Sequence, residues 1–99
     1  MDTLSQVWTV TQLKQYAKDQ GSYFFSPGAM RFFNSRVLPF ILHAEQGIAF
    51  ITSEQFDYKS PRFYTVRLMR EDGNIDTVGD FQAYDTPGQA KKAAKALNQ

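Results

Sequence analysis

GIAFITSEQFDYKSPRFYTVRLMREDGNIDTVGDFQAY, residues 47–84, decides the fold. Short runs rich in Ile, Phe, Thr, Tyr and Val alternate with clusters of Gly, Asp, Ser and Pro, the pattern of strands joined by turns. Ile48, Phe50 and Thr52 alternate with Ala49, Ile51 and Ser53, and both sets are partly apolar. A central strand covered on both sides has that pattern. Asp72-Gly73 is a strong hairpin signal. Taken as a two-residue turn, it sets Arg70 opposite Ile75, Leu68 opposite Thr77, Val66 opposite Gly79 and Tyr64 opposite Phe81. One face then carries Tyr64, Val66, Leu68, Ile75, Thr77 and Phe81 toward the core. The other carries Phe63, Thr65, Arg67, Met69, Asp76, Val78, Asp80 and Gln82 toward solvent, with Arg67 diagonal to Asp76 and Asp80, within cross-strand reach. Gly79 opposite Val66 signals a bulge or a close approach. A turn one residue longer would exchange the two faces.

Outward from this stretch, residues 37–44 read as a further strand, with Pro39 restricted to a strand start or a sheet edge and Glu45-Gln46-Gly47 as a short hairpin loop. Thr9-Val10-Thr11-Gln12 fits a capping box, and Thr3-Leu4-Ser5-Gln6 fits the same pattern earlier in the chain. Val10, Leu13 and Ala17 share one face of the helix that follows, Tyr16 flanks it, and Gly21 suits its C-terminal end. Trp8 would anchor the helix entry. A second short helix is expected over residues 27–36, with Ser26 as N-cap, Pro27 at its first position and Phe25 stapled onto Met30. Thr86-Pro87-Gly88-Gln89 opens a last helix in the same manner. Its Ala90, Ala93, Ala94 and Leu97 form a small-residue stripe, with Lys91, Lys92 and Lys95 on the other side.

The chain has 99 residues, of which 42% are hydrophobic and 15% aromatic. That is enough apolar material for one domain over residues 1–99 with one core. The fold class expected is α+β: an antiparallel meander of three or four strands, packed on one face by two N-terminal helices and a C-terminal helix. The chain has no Cys, which excludes disulfides, thiolate metal sites and a Cys nucleophile. No secretory h-region and no bilayer-length apolar run is visible, so a cytoplasmic location without membrane contact is expected. Net charge is +1, and the charges are balanced in both halves. Balanced charge argues mildly against nucleic-acid binding, which usually shows a basic excess on one face.

No catalytic constellation stands out. His43 is the single His and lies in an apolar run, so neither a triad base nor a multi-His metal site is available. No glycine-rich phosphate loop and no nucleophile elbow occurs. Glu71, Asp72, Asp76 and Asp80 lack the ligand spacing of a calcium loop. The expectation is a non-enzyme with no cofactor and no metal. Asp57-Tyr58-Lys59-Ser60-Pro61-Arg62 is an exposed, Pro-stiffened connection mixing an aromatic with two cations, and such loops carry function. Together with an outer sheet face it gives a partner-binding surface of Tyr58, Lys59, Arg62, Phe63, Arg67 and Met69, where exposed Phe63 and Met69 would form an apolar patch. A homodimer through that face fits the same pattern. The rival is nucleic-acid binding through Lys91, Lys92 and Lys95 with Arg31 and Arg36.

FFSPGAMRFFNSRV (24–37), FITSEQFDYKSPRFYTVR (50–67) and GNIDTVGDFQAY (73–84) resemble a family of small uncharacterised proteins encoded by bacteriophages and prophages. The resemblance implies a small phage accessory protein in the cytoplasm of a bacterial host. It would bind a host protein, as an anti-defence factor or host-takeover inhibitor. The order of helix, antiparallel sheet and Ala/Lys-rich helix is also similar to the double-stranded RNA-binding domain, whose last helix grips phosphates with a basic pair and a third Lys. Lys91 matches the third Lys, while Pro87 and Gly88 stand in the places of the pair.

Overall fold

In the computed structural model, residues 9–19, 21, 34–44, 47–70 and 73–98 are described. Helix α1 (Val10–Asp19) precedes four strands, β1 (Arg36–Ala44), β2 (Gly47–Glu54), β3 (Phe63–Met69) and β4 (Ile75–Val78). Helix α2 (Pro87–Lys95) follows and tightens into a 3-10 turn over Ala96–Asn98. The sheet is an antiparallel meander in the order β1-β2-β3-β4. The α+β class and the four-stranded meander therefore stand.

Two features of the expected packing do not. The helices lie on opposite faces of the sheet rather than on one. Leu13 and Ala17 of α1 pack on Ile48, Phe50 and Met69. Ala90 and Ala94 of α2 pack on Ala49, Ile51, Val66 and Leu68. These are alternate residues of the same strands, and alternate residues point to opposite faces. All eight residues of β2 are buried as a result, as its two-sided apolar pattern predicted. Nor are there two N-terminal helices among the described residues, where α1 alone precedes the sheet. Residues 22–33, most of the expected second helix, lie outside the described residues. Arg36, expected to end that helix, instead opens β1 opposite Ser53.

The helix ends follow their sequence signals. Gln12 N–H donates to Thr9 Oγ1 at 3.2 Å and Thr9 N–H to Gln12 Oε1 at 2.9 Å, a reciprocal capping box. At α2, Gln89 N–H donates to Thr86 Oγ1 at 3.2 Å, with Pro87 at the first helical position. Gly21 N–H closes the end of α1 on the Lys18 carbonyl. The earlier box at Thr3 and the anchor at Trp8 lie outside the described residues, as does the hairpin tip at 45–46. Ala44 and Gly47 pair across that tip.

The β3–β4 register differs from the expectation by one residue. Met69 pairs with Ile75, Arg67 with Thr77 and Val66 with Val78. Arg70 N–H donates to the Asn74 carbonyl and Gly73 N–H to that of Arg70, so three residues close the turn. Gly73 sits at φ 88°, the left-handed position that such a loop gives to glycine. The longer turn exchanges the faces of β4 relative to β3. Val78 turns toward the α2 side with Val66 and Leu68, and Thr77 turns out of the core. Tyr64 bonds to Tyr84 rather than facing Phe81. Five residues, 79–83, thus bow away opposite Thr65, which bears out the bulge signalled by Gly79. At the other edge β1 slips register between Val37 and Ile41, around Pro39, which sits on an edge strand as expected.

Candidate functional site

Residues 55–62 join β2 to β3 at one end of the sheet. Asp57 fixes the loop from within. Its Oδ1 accepts from Lys59 N–H at 2.9 Å and from Ser60 Oγ at 3.1 Å, and its carbonyl accepts from Ser60 N–H. Such local carboxylate bonds favour a turn over continued strand. Gln55 Nε2 ties the Ser60 carbonyl at 2.8 Å from the strand side. With the backbone so held, the tip presents its side chains outward. Phe56 is 72% exposed and Tyr58 81%, the largest exposures of big apolar side chains among the described residues. The Lys59 ammonium stands 5.8 Å from the Tyr58 ring centroid, within cation–π range.

Arg62 does structural work at the base of the loop. Its Nη1 donates to the Ser53 carbonyl at 3.1 Å and to Ser53 Oγ at 2.7 Å, and its Nη2 to the Asn34 carbonyl at 3.3 Å. Burial first, and the like charge of Arg36 second, hold the Arg62 guanidinium below the ordinary arginine value. Tyr58 and Lys59 are therefore displayed for contact, whereas Arg62 is largely committed to the fold. Phe56, absent from the set expected from sequence, belongs to the displayed group. The sequence pattern extends the second strand to Phe56, but β2 ends at Glu54, so Phe56 falls in the connection rather than in the sheet.

The outer sheet face expected around Phe63, Arg67 and Met69 is not a solvated patch. Met69 is fully buried, Arg67 is 9% exposed and Phe63 is half-buried. This face lies under α1 at the Met69 end and turns polar toward the other end. Arg67 Nε donates to Thr52 Oγ1 at 3.0 Å, Nη1 to Thr77 Oγ1 at 2.6 Å and Nη2 to Glu54 Oε2 at 3.4 Å. Thr65 Oγ1 donates to Glu54 Oε1 at 2.7 Å and accepts from Gln82 N–H at 2.9 Å. Arg67, expected within reach of Asp76 and Asp80, pairs with Glu54 instead, and Asp76 pairs with Arg70 near the turn. Desolvation lowers Arg67 from the ordinary arginine value, and Glu54 works against that shift. The Arg67 guanidinium carbon stands 5.3 Å from the Phe81 ring centroid, so the bowed 79–83 segment roofs the pair from one side.

This buried cluster has the character of a structural network. Both Glu54 oxygens are engaged, and among the described residues no three of His, Cys, Asp and Glu come close enough to hold a metal ion. His43 is half-buried opposite Ile48 on β1.

Of the basic residues, Lys91, Lys92 and Lys95 are exposed on the side of α2 away from Ala90 and Ala94, as the helical spacing predicted. Lys91 reaches over Phe40 of β1, its ammonium 5.7 Å from the ring centroid. Arg36 is exposed at the start of β1, and Arg31 lies outside the described residues. A shallow groove of about 560 Å³ runs along the opposite flank of α2, lined by Ala83, Tyr84, Gln89, Lys92, Ala93 and Ala96. No described helix is long and apolar enough to cross a membrane.

The model of a family of unknown function (DUF7447) matches residues 9–95, and the chain belongs to that family. No curated protein and no solved structure matches the chain.

Proposed function

We propose that this member of the family works without catalysis, by binding another protein through the tip formed by Phe56, Tyr58 and Lys59. The single observation that carries this reading is the exposure of two large aromatics on a turn pinned by Asp57 and Gln55. Aromatic anchors dominate the energetics of protein interfaces. A loop already held in one conformation loses little entropy on binding. Arg62 contributes by fixing the base of the loop, and Phe63 by continuing it into β3. Arg67 and Met69 contribute only through the fold. The resemblance of its sequence phrases to those of phage proteins supports a host protein of a bacterial cell as the partner, bound by a small accessory factor acting against defence or in host takeover.

The test is photo-crosslinking in the bacterial host, with p-benzoylphenylalanine in place of Tyr58 and, as control, in place of Lys14 on α1. A discrete adduct is expected at Tyr58, lost when Phe56→Asp is added. No Tyr58 adduct, or one indifferent to Phe56→Asp, sinks the proposal.

A nucleic-acid reading draws on the adjacent exposure of Lys91, Lys92 and Lys95. It requires retention on DNA or RNA with a steep salt slope, since phosphate contacts release counterions. Retention unchanged by alanine at all three lysines removes it.

A further inference from the structure

We propose that Arg36 and Arg62 form a binding site for one doubly charged anion, a phosphate monoester, at the end of the sheet away from the β1–β2 hairpin. Arg36 faces Ser53 across β1 and β2, and Ser53 faces Tyr64 across β2 and β3. Directly opposed residues project from the same side of a sheet, so Arg36 stands on the α2 side with Tyr64. Arg62 comes to the same point from the connecting loop, its Nη1 bonded to the buried Ser53 hydroxyl at 2.7 Å. Two guanidiniums from separate elements thus converge on one serine. Among the described residues neither forms an ion pair. Glu54, next to Ser53, projects from the opposite face, where Thr65 and Arg67 take up both of its oxygens. Asp57 turns its Oδ1 onto Lys59 N–H and Ser60 Oγ. Asp85 follows Tyr84 and so lies three strand spacings from Arg36, about 14 Å. Residues 21–44 and 58–70 contain no Asp or Glu. After burial, repulsion from Arg36 is the strongest influence on Arg62, ahead of the pull of Tyr64 and Glu54.

Two positive charges held together without a counter-ion select a ligand that supplies two negative ones. A phosphate monoester carries about −1.5 to −2 at neutral pH, whereas a carboxylate or the phosphate diester of a nucleic acid carries one. Donors remain to hold it. A guanidinium presents five N–H groups in a planar fork that matches phosphate. The Arg62 bonds to Ser53 and Asn34 use Nη1 and Nη2 and leave Nε–H. The Arg36 side chain is exposed and makes no hydrogen bond among the described residues. One arm of the site is therefore preset by the fold, which limits the ordering cost of binding, and the other closes onto the ligand. The site includes none of Phe56, Tyr58 and Lys59, so it can be tested apart from the tip.

The experiment titrates the labelled full chain with sodium phosphate at constant ionic strength and follows the arginine Nε–H signals by NMR. Those of Arg36 and Arg62 should shift together, while that of Arg70, already paired with Asp76, should stay. Arg36→Gln, an exposed change that breaks no bond, should weaken phosphate at least about tenfold. Arg70→Gln should leave the affinity unchanged. Dimethyl phosphate, with one charge, should bind at least about tenfold more weakly than phosphate. A capped tripeptide with a central phosphoserine separates the sources. Tighter binding than inorganic phosphate places the group on a phosphorylated side chain, and weaker binding makes it a free phosphate. A chain carrying Phe56→Asp and Tyr58→Asp should titrate like wild type, which separates this site from the tip. The proposal is overturned if neither arginine signal moves, or if Arg36→Gln binds phosphate as wild type does. It is also overturned if Arg70 shifts as much as Arg36, or if dimethyl phosphate binds equally, since either marks a diffuse ion atmosphere rather than a site.

Discussion

Arg67 of β3 and Glu54 of β2 form an ion pair inside the sheet, Nη2 to Oε2 at 3.4 Å, with both residues almost wholly removed from water. Thr52, Thr65 and Thr77 supply the hydrogen bonds that the two charged groups need beyond each other. Removing one member of such a pair strands the other charge. Glu54→Ala is therefore expected to cost about 3 kcal/mol or more, and Glu54→Leu with Arg67→Met to recover most of that loss. Urea unfolding of the single and double variants measures it. Equal losses in all of them would falsify the pairing as the source of the cost.

Met69 tests whether α1 covers its face of the sheet. It is fully buried beside Leu13, Ala17 and Phe50, so Met69→Ala should cost about 2–5 kcal/mol. On a solvated face the same change would stay within about 0.5 kcal/mol. A midpoint shift in denaturant at constant slope reads the difference.

Gly47 and Gly88 should respond to alanine in opposite directions. A Cβ at Gly47 would collide with the backbone carbonyl of Met69 on the neighbouring strand, and neither strand can move without breaking the ladder. Gly47→Ala is expected to cost more than about 1 kcal/mol, lowering Tm by at least about 4 °C in a domain this size. At Gly88 the nearest atom to a new Cβ is Thr86 Oγ1, at 4.0 Å. Gly88→Ala should raise stability by about 0.5–1 kcal/mol through helix propensity. Calorimetry of the two variants gives the signs directly.

Thr9 and Thr86 cap separate helices on opposite sides of the sheet. Each alanine variant should cost about 1 kcal/mol. Distant sites without shared partners add, so the double variant should cost about 2 kcal/mol. Helical ellipticity against temperature follows the loss, and a double variant no worse than one single variant would show that one cap is not formed in solution.

These helix ends were legible because capping is local: a hydroxyl and a Gln within four residues, joined by a Pro at the second helix, carry the geometry. The meander order and the burial of β2 were legible for a similar reason, since alternation on both faces is visible in Ile48 to Ser53 alone. The register of the last hairpin was not. Asp72-Gly73 serves a two-residue turn and equally a three-residue turn that places Gly73 in the left-handed region, and only the partners of Arg70 and Asn74 decide. The misplacing of Arg67 and Met69 in the candidate surface has a separate cause: α1 covers their face of β3 at the Met69 end, and Thr52, Thr77 and Glu54 surround Arg67. The face chosen by each helix was hidden too, because the stripes of α1 and α2 specify what they bury and not which side of a sheet offers it. The exposure of Tyr58 and Lys59 was legible from loop chemistry, which does not depend on register.

The two sheet margins bear on how this protein behaves in crowded solution. A foreign strand approaching β1 meets Pro39, which has no N–H to offer, at a place where the ladder already slips between Val37 and Ile41. At the opposite margin β4 has four residues, after which the chain bows outward over 79–83. Neither rim presents a long flat template, and such rims resist stacking end to end into fibrils. A chain with 42% hydrophobic residues can thus keep a fully buried central strand without becoming a seed for polymerisation.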